Sequence, residues 1–243
     1  MRRFGLIGYP LGHSFSKKYF TEKFEKEGIA DCIFELFPIE SIDEFPSLIK
    51  QYPDLKGLSV TIPYKQSVYK YLDQINIPKG INACNSIKID NGKLSGYNTD
   101  YIGFKKSFIE LLQPHHKKAL VLGNGGATEA VVYVLNQLNI GYKIVSRQLH
   151  GASSLTYADI DKELIESHQV IINSTPLGTY PSVDACPDIP YEYLTPDHYL
   201  FDLVYNPPKT LFLQRGEAKG ALVKNGYDML SIQAEESWKI WNG

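Results

Sequence analysis

The sequence predicts an α/β protein of two domains that join near residue 100, and three observations support this prediction. Apolar runs with the length of strands alternate with segments of helical periodicity along the 243-residue chain. Such alternation is typical of sheets flanked by helices. It restarts after a polar break at residues 114–118. A chain of this length can form one large domain or two small ones, each with a core of its own.

Helices of the N-terminal unit are predicted from apolar spacing and from capping residues. One helix is predicted to begin near Ser16, because Phe20 and Phe24 lie one turn apart, and to end at Gly28. The segment Ser41-Ile42-Asp43-Glu44 has the S-x-x-E form of a capping box. A second helix is therefore expected to start there.

Strands of the same unit are predicted from short apolar runs. They are residues 4–8, 32–38, 58–62, 86–89 and 93–97. Pro63 closes the third of these runs. The last two flank Asn91-Gly92, a dipeptide that strongly favours a hairpin turn.

The second unit repeats the alternation of helix and strand. After Asp100, a helical segment carries its apolar side chains on one side, at Phe104, Phe108, Leu111 and Leu112. A further helix carries Val131, Val134, Leu135 and Leu138 at helical spacing. Strands are predicted at residues 119–122, 142–145, 170–173 and 200–203. The last helix is predicted from about Met229 to Trp241.

Composition excludes several classes of protein. The chain has 25 Lys and Arg residues against 27 Asp and Glu residues, without the basic excess that nucleic-acid binding needs. Its 3 cysteines, Cys32, Cys84 and Cys186, are widely spaced, which argues against a disulfide framework and a zinc site. No metal site is predicted. The apolar runs are too short for a signal peptide or a membrane span. We expect a cytoplasmic protein without nucleic-acid or membrane partners.

A glycine-rich turn follows a predicted strand and opens a predicted helix. It consists of Gly123, Asn124, Gly125, Gly126, Ala127 and Thr128. In this context glycines let the backbone approach a pyrophosphate, and free N–H groups at the helix start bind the anion. Thr128 stands where the G-x-G-x-x-G fingerprint has its third glycine. The turn predicts a dinucleotide site; the alternative is a glycine-rich connection without a ligand.

The end of the next strand predicts which dinucleotide is bound. NAD enzymes usually place an acidic residue there, where it binds the ribose 2′-hydroxyl. This chain has Ser146 and Arg147 instead. A guanidinium can pair with a 2′-phosphate and stack on adenine. NADP is therefore the predicted cofactor; the alternative is that Arg147 is a solvated surface charge.

Several polar motifs, in order along the chain, resemble those of the shikimate dehydrogenase family. In the first half they are residues 8–16 (GYPLGHSFS), 58–65 (LSVTIPYK), 82–86 (NACNS) and 96–100 (GYNTD). In the second half, residues 173–178 (NSTPLG), 202–207 (DLVYNP) and 226–233 (GYDMLSIQ) follow the glycine turn. The resemblance covers nearly the whole chain. It implies an NADP-dependent dehydrogenase that reversibly reduces 3-dehydroshikimate to shikimate in chorismate and aromatic amino acid biosynthesis.

The resemblance also implies a domain arrangement and residue roles. Residues 1–100 plus 227–243 would form the substrate domain, completed by the C-terminal helix, and residues 101–226 a Rossmann-like NADP domain. Lys65 and Asp100 are implied as the catalytic pair. The implied substrate-binding residues are Ser14, Ser16, Thr61, Asn85, Asp100, Tyr205 and Gln233. The implied cofactor-binding residues are Gly123, Gly125, Gly126, Ala127, Ser146, Arg147, Thr175, Leu203 and Gly226.

The residue types suit that chemistry. Shikimate carries one carboxylate and three hydroxyls, and Ser14 and Ser16 lie at a predicted helix start, where hydroxyls and N–H groups bind anions. Ser16 is also the expected N-cap, a role that is harder to assign to Ser14. Reduction of the ketone leaves negative charge on its oxygen, to which Lys65 can donate a proton. The alternative is that Lys65 orients the substrate and water supplies the proton. Asp100 would hold the ammonium group.

Other interpretations stay open at this point. A quinate/shikimate dehydrogenase that accepts NAD would favour an acidic residue near Ser146. A non-catalytic sensor of shikimate would be expected to lack Lys65 or Asp100. Another two-domain NADP dehydrogenase, such as a folate-linked enzyme, gives no reason for the paired serines. His13 is assigned no catalytic role. The expected partner is a small-molecule substrate, and the chain is expected to be a monomer or homodimer.

Overall fold

Two six-stranded sheets organise the chain, one in each of two units. The computed structural model describes residues 1–12, 14–149 and 151–243, so His13 lies outside the described residues. The first unit comprises Met1–Ile102 and Leu230–Gly243, and the second comprises Gly103–Met229. The predicted boundaries at residues 100 and 227 lie within one helical turn of these.

The sheet of the first unit is mixed. Its strands are β1 (Arg2–Gly8), β2 (Cys32–Pro38), β3 (Leu55–Val60), β4 (Gln74–Asn76), β5 (Ser86–Asp90) and β6 (Lys93–Tyr97), in the order β2-β1-β3-β5-β6-β4. β1 pairs in parallel with β2 and β3, and β5 pairs antiparallel with β3 and β6. The predicted hairpin forms at Asn91 and Gly92, which both have positive φ. Because β1 and β3 are parallel neighbours, their carboxyl ends meet at one edge of the sheet.

The helices of this unit cover its sheet. They are α1 (Phe15–Lys26), α2 (Phe45–Gln51), the start of α3 (Asp100–Phe108) and most of the last helix, α7 (Tyr227–Asn242). Phe20 of α1 and Trp241 of α7 are buried against Phe4 of β1. The Phe4 and Trp241 rings stack with centroids 5.3 Å apart. Aromatic packing of this kind fixes α7, and with it the residues that α7 contributes to the site.

The sheet of the second unit is parallel throughout. Its strands are β7 (Lys118–Leu122), β8 (Gly141–Ser146), β9 (Leu155–Thr156), β10 (Val170–Asn173), β11 (Tyr199–Asp202) and β12 (Leu222–Lys224), in the order β12-β11-β10-β7-β8-β9. The order reverses between β7 and β10, as in a Rossmann fold. Ligands of such sheets bind outside the carboxyl ends of the strands at that reversal.

Helices α4 (Gly126–Gln137), α5 (Lys162–Ser167) and α6 (Leu211–Glu217) connect the strands of the second unit. The four strands predicted here all form. The predicted helix after Asp100 is correct in position but not in length, since α3 ends at Phe108 and leaves Leu111 and Leu112 outside it. Both leucines are only half-buried, so they offer little burial energy to extend the helix.

Candidate active site and cofactor cavity

The loops that leave β1 and β3 run side by side at the carboxyl edge of the first sheet. The N–H of Thr61 donates to the Ile7 carbonyl at 3.0 Å, and the N–H of Tyr9 donates to the Ile62 carbonyl at 3.1 Å. The β1 loop leads to the start of α1. The β3 loop turns at Thr61, whose carbonyl accepts from the Tyr64 N–H at 2.9 Å, and continues to Lys65.

Lys65 and Asp100 form the central ion pair of this edge. The Lys65 Nζ lies 2.6 Å from Asp100 Oδ2, and the two side chains are 22% and 11% exposed. The Lys65 carbonyl accepts a hydrogen bond from the Cys84 N–H at 2.7 Å. Asp100 is the first residue of α3, and the side chain of Asn98 accepts from the Tyr101 N–H at 3.2 Å. The pair is thus held from both sides by backbone contacts.

Asn85 ties Asp100 to the neighbouring elements. Its Nδ2 donates to Asp100 Oδ1 at 2.8 Å and to Thr99 Oγ1 at 3.0 Å. Its Oδ1 accepts from the Thr99 N–H at 2.6 Å. Asn85 is 4% exposed. The carboxylate of Asp100 consequently accepts from a cation on one oxygen and from an amide on the other, which fixes its orientation.

Helix α7 completes this cluster. Gln233 Oε1 lies 3.3 Å from Asn85 Nδ2, and Ser237 Oγ lies 3.0 Å from Thr99 Oγ1. Lys65, Asn85, Asp100 and Gln233 were predicted as site residues, and the structure brings them together. Thr99 lies within a recognised motif, whereas Ser237 carried no local signal, because a serine inside a helix is usually a surface residue.

The two serines of the β1 loop have exchanged their expected capping roles. Ser14, not Ser16, is the N-cap of α1: its hydroxyl accepts from the Lys17 N–H at 3.2 Å. Helix α1 begins at Phe15, one residue before the predicted start. Ser16 therefore lies in the first turn, where its N–H is one of the donors without an intrahelical partner. Among the described residues, no hydrogen bond connects either serine to Lys65 or Asp100.

In the second unit the glycine-rich turn joins β7 to α4 at the strand-order reversal. Gly123 has a φ of +110°, and a side chain there would crowd Ser174 and Thr175. A Cβ on Gly125 or Gly126 would meet nothing within 4 Å, so the helix start faces open space. Thr128 replaces the third glycine by closing the turn itself: its Oγ1 accepts from the Gly125 N–H at 3.1 Å.

A cavity of about 680 Å³ opens beside this turn. Its wall contains five residues predicted to bind the cofactor: Gly123, Gly125, Ser146, Arg147 and Thr175. It also contains residues that were not predicted: Asn124, Gln148, Tyr157, Ser174, Pro176 and Leu177. Gly126 and Ala127 lie in the first turn of α4 instead. Arg147 is exposed and has no ion-pair partner among the residues that the structure describes.

Three other predicted residues lie away from this wall. Leu203 and Tyr205 follow the end of β11, and Gly226 follows β12. The Gly226 N–H donates to the Val204 carbonyl at 3.1 Å, which joins the two segments. Tyr205 was predicted to bind substrate, and it belongs to the second unit, whereas the other predicted substrate residues belong to the first.

The cavity suits an adenine dinucleotide phosphate. The open α4 start presents unpaired N–H groups to a pyrophosphate, and the exposed guanidinium of Arg147 is available to a further phosphate. Tyr157 adds a hydroxyl that is buried without a partner among the described residues.

Burial raises the pKa of two titratable groups near these sites. Desolvation raises the pKa of the Cys84 thiol to about 12, so this cysteine next to Asn85 stays protonated. Desolvation also raises the pKa of the Asp202 carboxyl, at the end of β11, to about 6.

Among the described residues, no group of three or more His, Cys, Asp or Glu side chains is placed to hold a metal ion. No described helix is long and apolar enough to cross a bilayer.

Comparison with known proteins adds the following similarities. A family profile described as the shikimate dehydrogenase substrate binding domain matches residues 6–87. A shikimate dehydrogenase (NADP(+)) of Caldicellulosiruptor saccharolyticus is 35% identical over 258 residues, which cover 99% of this chain and 92% of the relative. The crystal structure of shikimate dehydrogenase from Aquifex aeolicus superimposes with a TM-score of 0.83 at 32% identity, covering 100% and 92% of the two chains. A Thermus thermophilus shikimate 5-dehydrogenase in complex with NADP(H) and shikimate gives 0.87 at 28%, covering 100% and 94%.

Proposed function

This chain belongs to the shikimate dehydrogenase family, and we propose that it reduces 3-dehydroshikimate reversibly to shikimate, with NADPH as the hydride donor. The observation that carries the proposal is the Lys65–Asp100 pair, an acid and a base 2.6 Å apart and largely shielded from solvent. Asn85, Thr99 and Gln233 lie next to it, and uncharged polar side chains of this kind suit a small polyhydroxylated ring.

Lys65 is the proposed proton donor. When bound, NADPH supplies a hydride to the C3 carbonyl carbon of the substrate. Lys65 gives a proton from its ammonium group to the C3 oxygen, so the C=O bond becomes CH–OH and the lysine becomes neutral. Water then returns a proton to Lys65. In the reverse direction, neutral Lys65 accepts the hydroxyl proton. Positioned proton transfer of this kind typically contributes a factor of roughly 10²–10⁴ in rate.

Asp100 has two proposed tasks. Its Oδ2 holds the Lys65 ammonium, which restricts the lysine to one of its many rotamers. Because Asn85 bonds the other oxygen, the carboxylate cannot rotate away from Lys65. A ring hydroxyl of the substrate can then donate to the remaining lone pairs. Asn85 and Gln233 are proposed to give up the hydrogen bond between them when substrate binds, and to bond substrate hydroxyls instead.

Ser14 and Ser16 are the proposed carboxylate binders. The Ser14 oxygen accepts from the α1 backbone, which leaves its own hydrogen free to donate. The Ser16 hydroxyl has no hydrogen-bond partner among the described residues. Helix α1 directs the positive end of its dipole toward the same place. Two hydroxyl donors and a helix start bind an anion without a buried cation.

A comparison of two lysines tests the catalytic proposal. Loss of NADPH absorbance is followed with 3-dehydroshikimate for wild type, Lys65→Ala and Lys70→Ala. Lys70 is a matched control, because it forms a 2.7 Å pair with Asp43 on the exposed surface of the same unit. We expect kcat to fall by roughly 10²–10⁴ for Lys65→Ala, with shikimate affinity changed only a few-fold, and no change for Lys70→Ala.

Three other outcomes would revise the proposal. If Lys65→Ala mainly weakens shikimate binding, Lys65 orients substrate rather than donating the proton. If wild type binds shikimate but never turns over, the chain is a sensor. If quinate with NAD⁺ is oxidised faster than shikimate with NADP⁺, the chain is a quinate/shikimate dehydrogenase.

A further inference from the structure

A buried carboxylate without a cation ends β11. Asp202 is 0% exposed, and no lysine or arginine among the described residues forms an ion pair with it. Its Oδ1 accepts from Asn173 Nδ2 at 2.9 Å and from the Val204 N–H at 3.0 Å. Its Oδ2 accepts from Thr210 Oγ1 at 2.5 Å. Burying an acid in this way is costly, and its raised pKa reflects that cost. No step of the proposed reaction uses Asp202.

One of these bonds leads directly to the cofactor cavity. Asn173, at the end of β10, is 0% exposed. While its Nδ2 donates to Asp202, its Oδ1 accepts from the Thr175 N–H at 3.0 Å and from Thr175 Oγ1 at 2.6 Å. Thr175 Oγ1 in turn accepts from the Leu177 N–H at 3.2 Å. Thr175 and Leu177 both line the cavity.

Asp202 contributes to the direction of these bonds. An amide side chain can flip by half a turn, which exchanges its donor and acceptor ends. A carboxylate only accepts, so it selects the orientation in which the Asn173 NH₂ group faces Asp202. The Asn173 oxygen must then face Thr175, where two donors converge on it. The Thr175 N–H, which can only donate, and the Leu177 carbonyl, which accepts from Asn173 Nδ2 at 3.3 Å, favour the same orientation. The carboxylate adds the charge-assisted bond, which is the strongest of the three.

From this geometry we propose that Asp202 is a positioning residue for the cofactor. It helps to orient Asn173, which holds Thr175 and Leu177 in the conformation that forms the cavity wall beside the glycine-rich turn. The same segment packs against that turn, because a Cβ on Gly123 would lie only 2.8 Å from Ser174 Oγ and 3.0 Å from Thr175 Cγ2. A shift of Thr175 would therefore change the width of the cavity. The proposal rests on the proposed function for the identity of the ligand, NADP(H).

The second oxygen of Asp202 supplies a matched control. Thr210 bonds that oxygen and is also the N-cap of α6, with its hydroxyl accepting from the Leu213 N–H at 3.4 Å. Thr210→Val removes both bonds but leaves the contacts from Asp202 through Asn173 to Thr175. It should therefore lower stability, as Asp202→Ala should, without affecting the cavity wall.

The test measures the dissociation constant of NADPH by fluorescence titration, with shikimate affinity and urea unfolding measured in parallel. We expect Asp202→Ala and Asn173→Ala each to weaken NADPH binding by at least about tenfold, the effect of losing an oriented buried hydrogen bond. Shikimate affinity should change less than twofold in both. The double variant should bind NADPH no more weakly than the weaker single variant, because both changes break one chain of contacts.

Asp202→Asn should keep most of the affinity. An asparagine can accept from Asn173 and Val204 through its oxygen while its NH₂ group donates to Thr210, whose hydroxyl rotates to accept. If Asp202→Asn retains NADPH binding, the orientation of Asn173 matters and the negative charge of Asp202 does not. Thr210→Val should bind NADPH as wild type does. Wild-type NADPH affinity in both Asp202→Ala and Asn173→Ala would overturn the proposal, as would an equal loss in Thr210→Val. If Asp202→Ala does not fold, Asn173→Ala and Thr210→Val decide alone. Failure of wild type to bind NADPH would instead contradict the proposed function.

Discussion

Arg147 lies just after β8, at the position where dinucleotide-binding enzymes usually distinguish NADP from NAD. Its guanidinium is exposed just after β8, on the wall of the cavity. Burial raises the pKa of the Tyr157 hydroxyl, and the nearby charge of Arg147 opposes that rise. The sequence from Ser146 to Tyr157 contains no acidic residue. A planar guanidinium offers two parallel donors to a phosphate, whereas a ribose hydroxyl gains little from it.

Removal of this guanidinium should change cofactor preference more than catalysis. Arg147→Ala is expected to raise the KM for NADPH by roughly 10- to 100-fold, the usual range for losing a charge-assisted bond, and to leave the KM for NADH within a few-fold. Arg147→Lys should fall between, because it keeps the charge but loses the planar fork. Lys143→Ala is the control, since Lys143 is an exposed cation on β8 that does not line the cavity. An unchanged NADPH preference in Arg147→Ala would identify Arg147 as a surface charge.

The proximity of site residues could be predicted where several motifs supply residues to one place. Lys65, Asn85, Asp100 and Gln233 come from four separate segments of the sequence, and their motifs were enough to predict that they meet. The capping roles of Ser14 and Ser16 could not be predicted correctly, because the choice between two nearby serines depends on where the first helical hydrogen bond forms. Ser237 and Tyr157 lie outside every motif, so only the packed structure connects them with a site.

At the scale of elements, helix α7 packs on the first sheet with an especially close contact at Gly57. Gly57 of β3 lies under the ring of Trp241, and a methyl group at that position would overlap the ring atoms. Trp241 is 5% exposed and stacks on Phe4, so it has little room to move. The position of α7 on the first sheet therefore depends on the absence of a side chain at Gly57.

Gly57→Ala should consequently act through the whole helix. We expect the free energy of unfolding in urea to fall by about 1–3 kcal/mol, as is usual for overpacking. Shikimate affinity should weaken as well, because Gln233 and Ser237 move with α7. Gly141→Ala on β8 is the matched control: the added carbon would have ordinary contacts, the nearest at 3.8 Å to the Lys117 carbonyl. A Gly57→Ala protein with wild-type stability would show that α7 shifts at little cost.

Elements with a strong local signal were predicted correctly, and those without one were missed. The hairpin at Asn91-Gly92 and the capping box at Ser41 and Glu44 both form, because a few neighbouring residues determine them. The short strands β4, β9 and β12 were not predicted. Each has only two or three residues, and each forms because a longer strand beside it offers unpaired backbone groups. Tertiary context of this kind leaves no periodic pattern in the sequence.

At the scale of the whole molecule, buried histidines make stability depend on pH. His116 is 2% exposed; its Nδ1 accepts from the Gln113 N–H at 2.9 Å, and its Nε2 donates to the Asp197 carbonyl at 3.1 Å. Among the described residues, the titratable groups that face it are His115, His198, Asp197 and Tyr199, whose ring stacks on it. Burial lowers the pKa of His116 below its ordinary 6.5. As pH falls through about 6.5, the unfolded chain binds a proton that the folded chain does not, so stability is lost.

Asp202 has the opposite effect in the same pH range. Burial raises its pKa from 3.8 to about 6, so as pH falls through 6 the folded chain binds a proton that the unfolded chain does not. Its contribution to stability is therefore present at low pH and is lost as pH rises through about 6. The change corresponds to about 3 kcal/mol when fully developed, at 1.36 kcal/mol for each pKa unit.

These opposite signs give a test at two pH values. Urea unfolding is measured at pH 7.5 and 5.5 for wild type, His116→Asn and Asp202→Asn. Asparagine at 116 can still accept from the Gln113 N–H but does not titrate. Relative to wild type, His116→Asn should lose less stability on acidification, and Asp202→Asn should lose more, because each removes one of the two opposing proton equilibria. Parallel responses of all three proteins would show that neither group titrates differently in the folded and unfolded chain. A reversed order would contradict the assigned protonation of both groups in the folded state.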